Sequence, residues 1–251
     1  MTPDDAQFKR SHAYGDIAHR ERKAGKIHRL IAEIRPLADC HVLEVGAGAG
    51  IISRALSRVV GAAGSVTAVD VVDERVVTDG YRFQQVADAR LPFDDGCFDV
   101  VISNHVIEHV GPRPAQLVHL REIRRVLRPD GLLYLAAPNR WAIVEPHFHL
   151  PALSWLPHGL ADRYVRATGR GDRYDCWPRG PQGLRALFAE TGFHIMDICP
   201  AAVRLEAAQR QGPIARMLRA TPDAALRRLS LLMPSLIFSA SPMPEPAQAQ
   251  S

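Results

Sequence analysis

A carboxylate near the end of an apolar strand, followed at once by three glycines, is the most chemically loaded feature of this 251-residue chain. The run Val42-Leu43-Glu44-Val45-Gly46-Ala47-Gly48-Ala49-Gly50 reads as a strand that enters a tight turn and then a helix. Glycines at such a turn let the backbone bend sharply and let a ligand approach where a Cβ would collide. Dinucleotide sites use the same device with the spacing G-x-G-x-x-G. Here the spacing is G-x-G-x-G, and Ile51 stands where the third glycine of that fingerprint belongs. Glu44 would repel a pyrophosphate and suits a cationic amino-acid ligand. Asp70 ends the next apolar run, where a carboxylate can accept from two ribose hydroxyls. The plain alternatives are a bare structural turn at 42–50 and an Asp70 that caps the following helix.

Glu145, His147 and His149 form a second group. Their types fit zinc or a similar ion, and their i, i+2, i+4 spacing brings them to one side of an extended strand. Pro146 and the lack of a fourth ligand count against a metal, so none is expected. The two histidines read better as bases, with Glu145 able to orient one of them.

The elements that must position these groups alternate along the chain. Apolar runs at His41–Val45, Val66–Val69, Arg82–Val86, Phe98–Ile102, Leu132–Ala136, Phe193–Ile198 and Leu236–Phe238 read as strands. Between them lie helical stripes: Ile27, Leu30, Ile31 and Ile34; Ile51, Ile52, Ala55, Leu56 and Val59; Leu117, Leu120, Ile123 and Leu127, stopped by Pro129-Asp130-Gly131; and Leu184–Ala189. Alternation of this kind argues for an α/β chain with a parallel sheet covered on both sides. Residues 139–180 break the pattern: they hold all three tryptophans and keep no steady period, as a lid or binding loop would. Residues 203–233 read as two basic amphipathic helices, and 241–251 as a disordered tail. One domain over 1–240 is expected, with a core at 37–138 and 181–240.

Five ordered pieces resemble the class I S-adenosylmethionine-dependent methyltransferases of the type 11 group. They are VLEVGAGAG at 42–50, VTAVD at 66–70, VADARLPFDDGCFDVVIS at 86–103, NHVIEHV at 104–110 and LREIRRVLRPDGLLYLAAPNR at 120–140. The resemblance implies a Rossmann-like three-layer αβα sandwich with a mostly parallel seven-stranded sheet, an insert after strand 5 and helices between strands 6 and 7. It also implies S-adenosyl-L-methionine as cofactor. Glu44 and Gly46 would line its methionine end, with Gly48 and Gly50 beneath. Asp70 would hold the ribose, Val71 pack on the adenine, and Asp88 and the Ala89 amide read the adenine edge. Asn104 and His105 would face the sulfonium and the acceptor. Tyr14 and Arg20 would fold over the cofactor and bind its carboxylate.

Methyl transfer from a sulfonium needs an aligned nucleophile at a dry methyl group, and a base if the nucleophile is a hydroxyl or protonated amine. His105 is the first candidate for that base, then His147 and His149. Segment 138–151 is similar to stretches in bacterial type 11 enzymes that modify glycans or lipid-linked sugars, which implies a small-molecule or lipid/glycan-linked acceptor. A nucleic-acid acceptor is not expected, because Asn104-His105-Val106-Ile107 stands where amino-methylating DNA enzymes carry an Asn/Asp-Pro-Pro-aromatic turn. A cofactor-binding protein without catalysis is the alternative from another class.

The formal net charge of +4 is mild, and the four cysteines form no C-x-x-C pair. The polar start MTPDDAQFKR is unlike a signal peptide, and no run of about 18 apolar residues exists. A cytoplasmic protein is expected. The 203–233 helices suit contact with the inner face of an anionic membrane, a homodimer face or a pocket roof.

Overall fold

A computed structural model describes residues 17–229 and 233–244. Their order is α1 (Ile17–Ala32), β1 (His41–Val45), α2 (Ile51–Ser57), β2 (Ser65–Asp70), β3 (Arg82–Gln85), β4 (Phe98–Asn104), α3 (Arg113–Val126) and β5 (Leu127–Pro138). A short 3-10 turn (Leu153–Trp155) and α4 (His158–Ala167) follow. The chain then forms α5 (Pro181–Glu190), β6 (Phe193–Asp197), α6 (Cys199–Ala208), α7 (Pro213–Ala220), α8 (Asp223–Leu229) and β7 (Ser235–Pro242).

The seven strands form one sheet in the order β3-β2-β1-β4-β5-β7-β6, parallel except for β7. Successive side chains on a strand face opposite ways, and here both faces are buried. Leu43, Val45 and Val101 pack with Leu120, Ile123, Leu187 and Phe188 from α3 and α5. Val42, Val100 and Ile102 pack on the other face with Ile27 and Ile31 of α1, Leu56 of α2 and Ala202 of α6. The result is the expected three-layer sandwich. In its central strands Val45 pairs with both Val69 and Ser103, so β1, β2 and β4 stop level with one another. That register sets Gly46, Asp70 and Asn104 side by side along one edge.

Several sequence expectations need correction. Strand β5 begins at Leu127, so Pro129-Asp130-Gly131 lies inside it rather than in a loop after α3; a register shift between Phe98 and Val100 of β4 absorbs those residues. Strand β7 reaches Pro242 because it bonds β5 on one side and β6 on the other. Ser241 and Pro242 are therefore strand, and the Met243 amide donates to Gly192 O at 2.8 Å. Segment 203–233 carries parts of three helices, the first of which is a covering helix of the sheet with Ala202 and Ala207 buried.

Residues 139–180 are also more built than their irregular sequence suggests. Leu150, Leu153, Ala161, Val165, Tyr174 and Cys176 make a small core of their own, with α4 packed across it.

Candidate active site

The glycine turn is tied down by the neighbouring strand: the Gly46 and Ala47 amides both donate to Val69 O, at 2.8 and 3.0 Å. Gly46 has φ 86°, and a Cβ there would fall 2.3 Å from Val106 Cγ2 in the turn after β4. Gly48, at φ 48°, is different: a Cβ on it would meet no protein atom within 4 Å. The space over Gly48 is open to a ligand. Gly50 begins α2, with Val77 O and the Tyr81 hydroxyl packed against it.

Asp70 closes the turn from the other side. Its Oδ2 accepts from the Gly48 amide at 2.9 Å and its Oδ1 from the Val71 amide at 2.7 Å. No helix begins at 71, so Asp70 does not act as a helix cap. Val71 is half exposed beside it. Beyond β3, Asp88 is exposed and accepts from the Arg90 amide at 2.8 Å, next to half-buried Ala89.

Glu44 lies under the turn, 1% exposed, and accepts a hydrogen bond from Ser53 of α2. Burial pushes its pKa up to about 8, although the Ser53 hydrogen bonds and the charge of Lys23 oppose the shift. Lys23, on α1, is half buried, and its charge interacts with both Glu44 and Glu108. Burial, then the nearby charges of Arg20 and Lys26, lower its pKa. The two carboxylates favour its charged form and only partly offset that. An ammonium from α1 thus faces a buried carboxyl from β1 across the site. Arg20 lies one turn earlier on α1, exposed, and Tyr14 is outside the described residues.

The third part is a cluster of histidines over Glu108. His105 follows Asn104 directly, at φ 58°, a region that non-glycine residues rarely occupy. Its amide donates to Ala136 O at 2.8 Å, which fixes it at the edge of β5. His105 Nδ1 lies 3.4 Å from Glu108 Oε1, and His147 Nε2 lies 3.5 Å from the same oxygen. His109 Nε2 is 3.9 Å from that oxygen and 3.4 Å from His147 Nε2. Burial lowers the His105 pKa against the pull of Glu108. His147 is raised: burial would lower it, but a hydrogen bond to Glu145 and the charges of Glu145, Glu108 and Asp175 prevail.

Glu108 is fully buried, yet neither of its oxygens accepts an aligned hydrogen bond among the described residues. Asn104 Oδ1 beside it is buried and unbonded too. Buried acceptors of this kind ordinarily have partners, so both are candidates to meet a ligand.

Segment 139–180 closes over this cluster through fixed contacts. The Trp177 amide donates to Glu108 O at 2.7 Å, while Gln116 Nε2 reaches Ile107 O and Trp177 O at 3.1 and 2.8 Å. Glu145, also fully buried, accepts from His147 Nδ1 at 3.0 Å and from the His147 amide at 2.8 Å.

The sequence residues divide accordingly. Glu44, Gly46, Gly48, Gly50, Asp70 and Asn104 meet at one strand edge, and His105 meets His147. His149 does not join them; it is exposed at φ 54° in a tight turn closed by its own amide onto Glu145 O. That turn replaces the extended strand expected for Glu145, His147 and His149. Lys23, Glu108, His109 and Cys176 were not among the expected site residues; Glu108 and His109 lie in the turn after β4. The i, i+3 spacing of His105 and Glu108 was the available signal. Nothing in the sequence announces Cys176, whose Sγ lies 3.8 Å from His109 Nδ1 across 67 residues of chain.

Residues 43–135 match the family model described as "Methyltransferase domain". The ubiquinone biosynthesis O-methyltransferase of Parvibaculum lavamentivorans is 29% identical over 161 residues, 57% of this chain and 59% of that protein. The arsenite methyltransferase of Aquipseudomonas alcaligenes is 34% identical over 117 residues, 40% of this chain and 33% of that protein. The chain thus spans about three fifths or less of the length of these curated relatives. Among solved structures, an S-adenosylmethionine-dependent methyltransferase from Mesorhizobium loti superimposes with TM-score 0.55 at 15% identity, over 85% of this chain and 95% of that one. The fold is shared.

Proposed function

We propose, from the membership of residues 43–135 in the methyltransferase domain family, that this chain moves a methyl group from S-adenosyl-L-methionine to an oxygen of a small-molecule acceptor. The observation that carries the reading is the strand edge itself, where an open glycine turn, a buried carboxyl and a ribose-type aspartate stand together.

The residues fit the cofactor. Glu44 takes the ammonium of its methionine end and Lys23 its carboxylate, with Tyr14 and Arg20 closing over them. Gly46, Gly48 and Gly50 let it approach the backbone. Asp70 accepts from the ribose hydroxyls, Val71 packs on the adenine, and Asp88 with the Ala89 amide holds the adenine edge. The cofactor supplies a methyl group already activated by the sulfonium. What remains is to dry, align and deprotonate the acceptor. Asn104 and His105 face that reaction. Segment 139–180 excludes water and brings His147, which Glu145 orients, to the same place; His149 stands further out at the rim.

The name of one relative, an O-methyltransferase, supports an oxygen acceptor but does not choose it. That relative is named for ubiquinone biosynthesis and another for arsenite, so the relatives' names differ in acceptor. In this reading the acceptor is chosen by parts outside residues 43–135, above all segment 139–180, and a quinone-like or lipid-linked phenol or sugar suits its aromatic content. A lipid-linked acceptor also accords with α7, which exposes Ile214 and Met217 at 70% and 60% beside Arg216. In this reading α7 rests on an anionic membrane at its cytoplasmic face. None of the described helices is long and apolar enough to cross one.

The test is production of S-adenosylhomocysteine from S-adenosylmethionine with a panel of phenolic, quinone-like and glycolipid acceptors. Acceptor-dependent turnover supports the reading. Cofactor binding with no turnover across the panel favours a non-catalytic binding protein instead.

A further inference from the structure

We infer that His105, Glu108 and His147 form a binding site for a divalent transition-metal ion of the zinc type, with one coordination position left for the acceptor's oxygen. The donor atoms His105 Nδ1, Glu108 Oε1 and His147 Nε2 all lie within 4.8 Å of one another. Glu108 Oε1 is 3.4 Å from the first nitrogen and 3.5 Å from the second. A tetrahedral ion with bonds of about 2.0–2.1 Å holds neighbouring donors roughly 3.3–3.4 Å apart. The two spacings to Glu108 need only small side-chain adjustments to meet that geometry.

Three further observations point to a ligand. Glu108 is 0% exposed and neither of its oxygens accepts an aligned hydrogen bond among the described residues. A carboxylate buried this way is costly unless a cation meets it. His147 is held in a ligand's orientation: its Nδ1 lies 3.0 Å from buried Glu145, a contact that suits Nδ1–H and leaves Nε2, on the Glu108 side, to bind an ion. Carboxylate-to-histidine pairs of this kind orient metal ligands generally. His109 Nε2, 3.4 Å from His147 Nε2, stands beside the open position. Glu145 is thus a positioning residue here and not a ligand.

The cation reading deepens the methyl-transfer reading, and only its chemical role depends on it. An acceptor hydroxyl on the ion loses its proton to solvent more readily, as metal-bound water does. The resulting oxyanion attacks the methyl carbon, the C–S bond breaks, and the sulfur leaves as a neutral thioether. His105 and His147 serve as ligands in this scheme, and the ion takes over the task assigned to a base.

Full-length protein without an affinity tag, dialysed against a chelator, would be titrated with zinc in competition with a chromophoric zinc chelator, and separately with cobalt to read its visible spectrum. The expected result is one ion per chain, a four-coordinate cobalt spectrum without a thiolate charge-transfer band, and affinity about tenfold or more weaker in His147→Ala. In His147→Ala the His147 and Phe148 amides still donate to Glu145, and thermal denaturation checks that the variant keeps its fold; Glu108→Gln should abolish binding if it folds. Absence of stoichiometric binding, or unchanged affinity in His147→Ala, overturns the site. A thiolate band that disappears in Cys176→Ser also overturns it, because the ion would then sit on His109, His147 and Cys176. Calorimetry with S-adenosylmethionine on the same samples separates the two readings: zinc binding without cofactor binding removes the methyltransferase and leaves the ion site, and the reverse removes only the site.

Discussion

Val106 occupies the space that a side chain on Gly46 would need, its Cγ2 standing 2.3 Å from where that Cβ would begin. The turn after β4 is thus seated directly on the glycine turn after β1. Gly46→Ala meets both this clash and a φ of 86°. The expected cost is about 1–3 kcal/mol of stability, with weaker cofactor binding. Adding Val106→Ala should recover the part due to the clash and leave the part due to φ. Thermal denaturation of the two variants checks this.

Glu44 makes stability and cofactor binding depend on pH. Its pKa is pushed up to about 8 by burial, from an ordinary 4.5. Between those values the folded chain keeps a proton that the unfolded chain has released, so stability falls as pH rises through that window. Glu44→Gln should flatten the fall, which is on the order of a few kcal/mol across the window. A cofactor ammonium beside Glu44 favours its charged form, so binding near pH 7 should release a proton. Calorimetry in buffers of different ionisation enthalpy reads that release, and Glu44→Gln should abolish it.

The fold was largely legible in the sequence because both faces of the central strands are buried. Val42–Val45 and Phe98–Ile102 read as largely apolar runs, broken only by Glu44 and Asp99, and each glycine turn or Asp70-type end fell where a strand stops. What was not legible depends on pairing across long separations. Strand β7 was read too short because its length comes from β5 and β6 on either side of it. Of the site, Glu44 with its glycines, Asp70 and Asn104 were each written at or just past the end of an apolar run. The cluster over Glu108 was not, since it joins His105, Glu108 and His109 of the turn after β4 to His147, 39 positions beyond Glu108. Lys23 enters from a helix whose stripe was recognised only from Ile27 onward.

Segment 139–180 should be separable from the sheet. Leu153 is fully buried in its small core. Leu153→Ala is expected to cost that segment about 2–5 kcal/mol. Hydrogen exchange should then rise in 145–178 with little change in β1 and β4. Cofactor affinity should stay within about twofold, a difference of roughly 0.4 kcal/mol, while the acceptor KM rises.

The exposed face of α7 gives a direct membrane test. Ile214→Glu with Met217→Glu should reduce co-sedimentation with vesicles rich in anionic lipid by about tenfold, some 1.4 kcal/mol. The sheet should keep its stability, because both side chains are largely exposed. A change in oligomeric state with no change in sedimentation would assign the face to a second copy of the chain.

The most direct measurement is a calorimetric titration of S-adenosylmethionine into the wild-type chain and Asp70→Asn. Asparagine keeps an oxygen for the Gly48 amide but loses one of the two acceptors offered to the ribose. One saturable site per chain in the wild type, weakened about tenfold in the variant, a difference of roughly 1.4 kcal/mol, is the expected result. No saturable binding by the wild type, or equal affinity in the two proteins, would contradict a cofactor held between the glycine turn and Asp70.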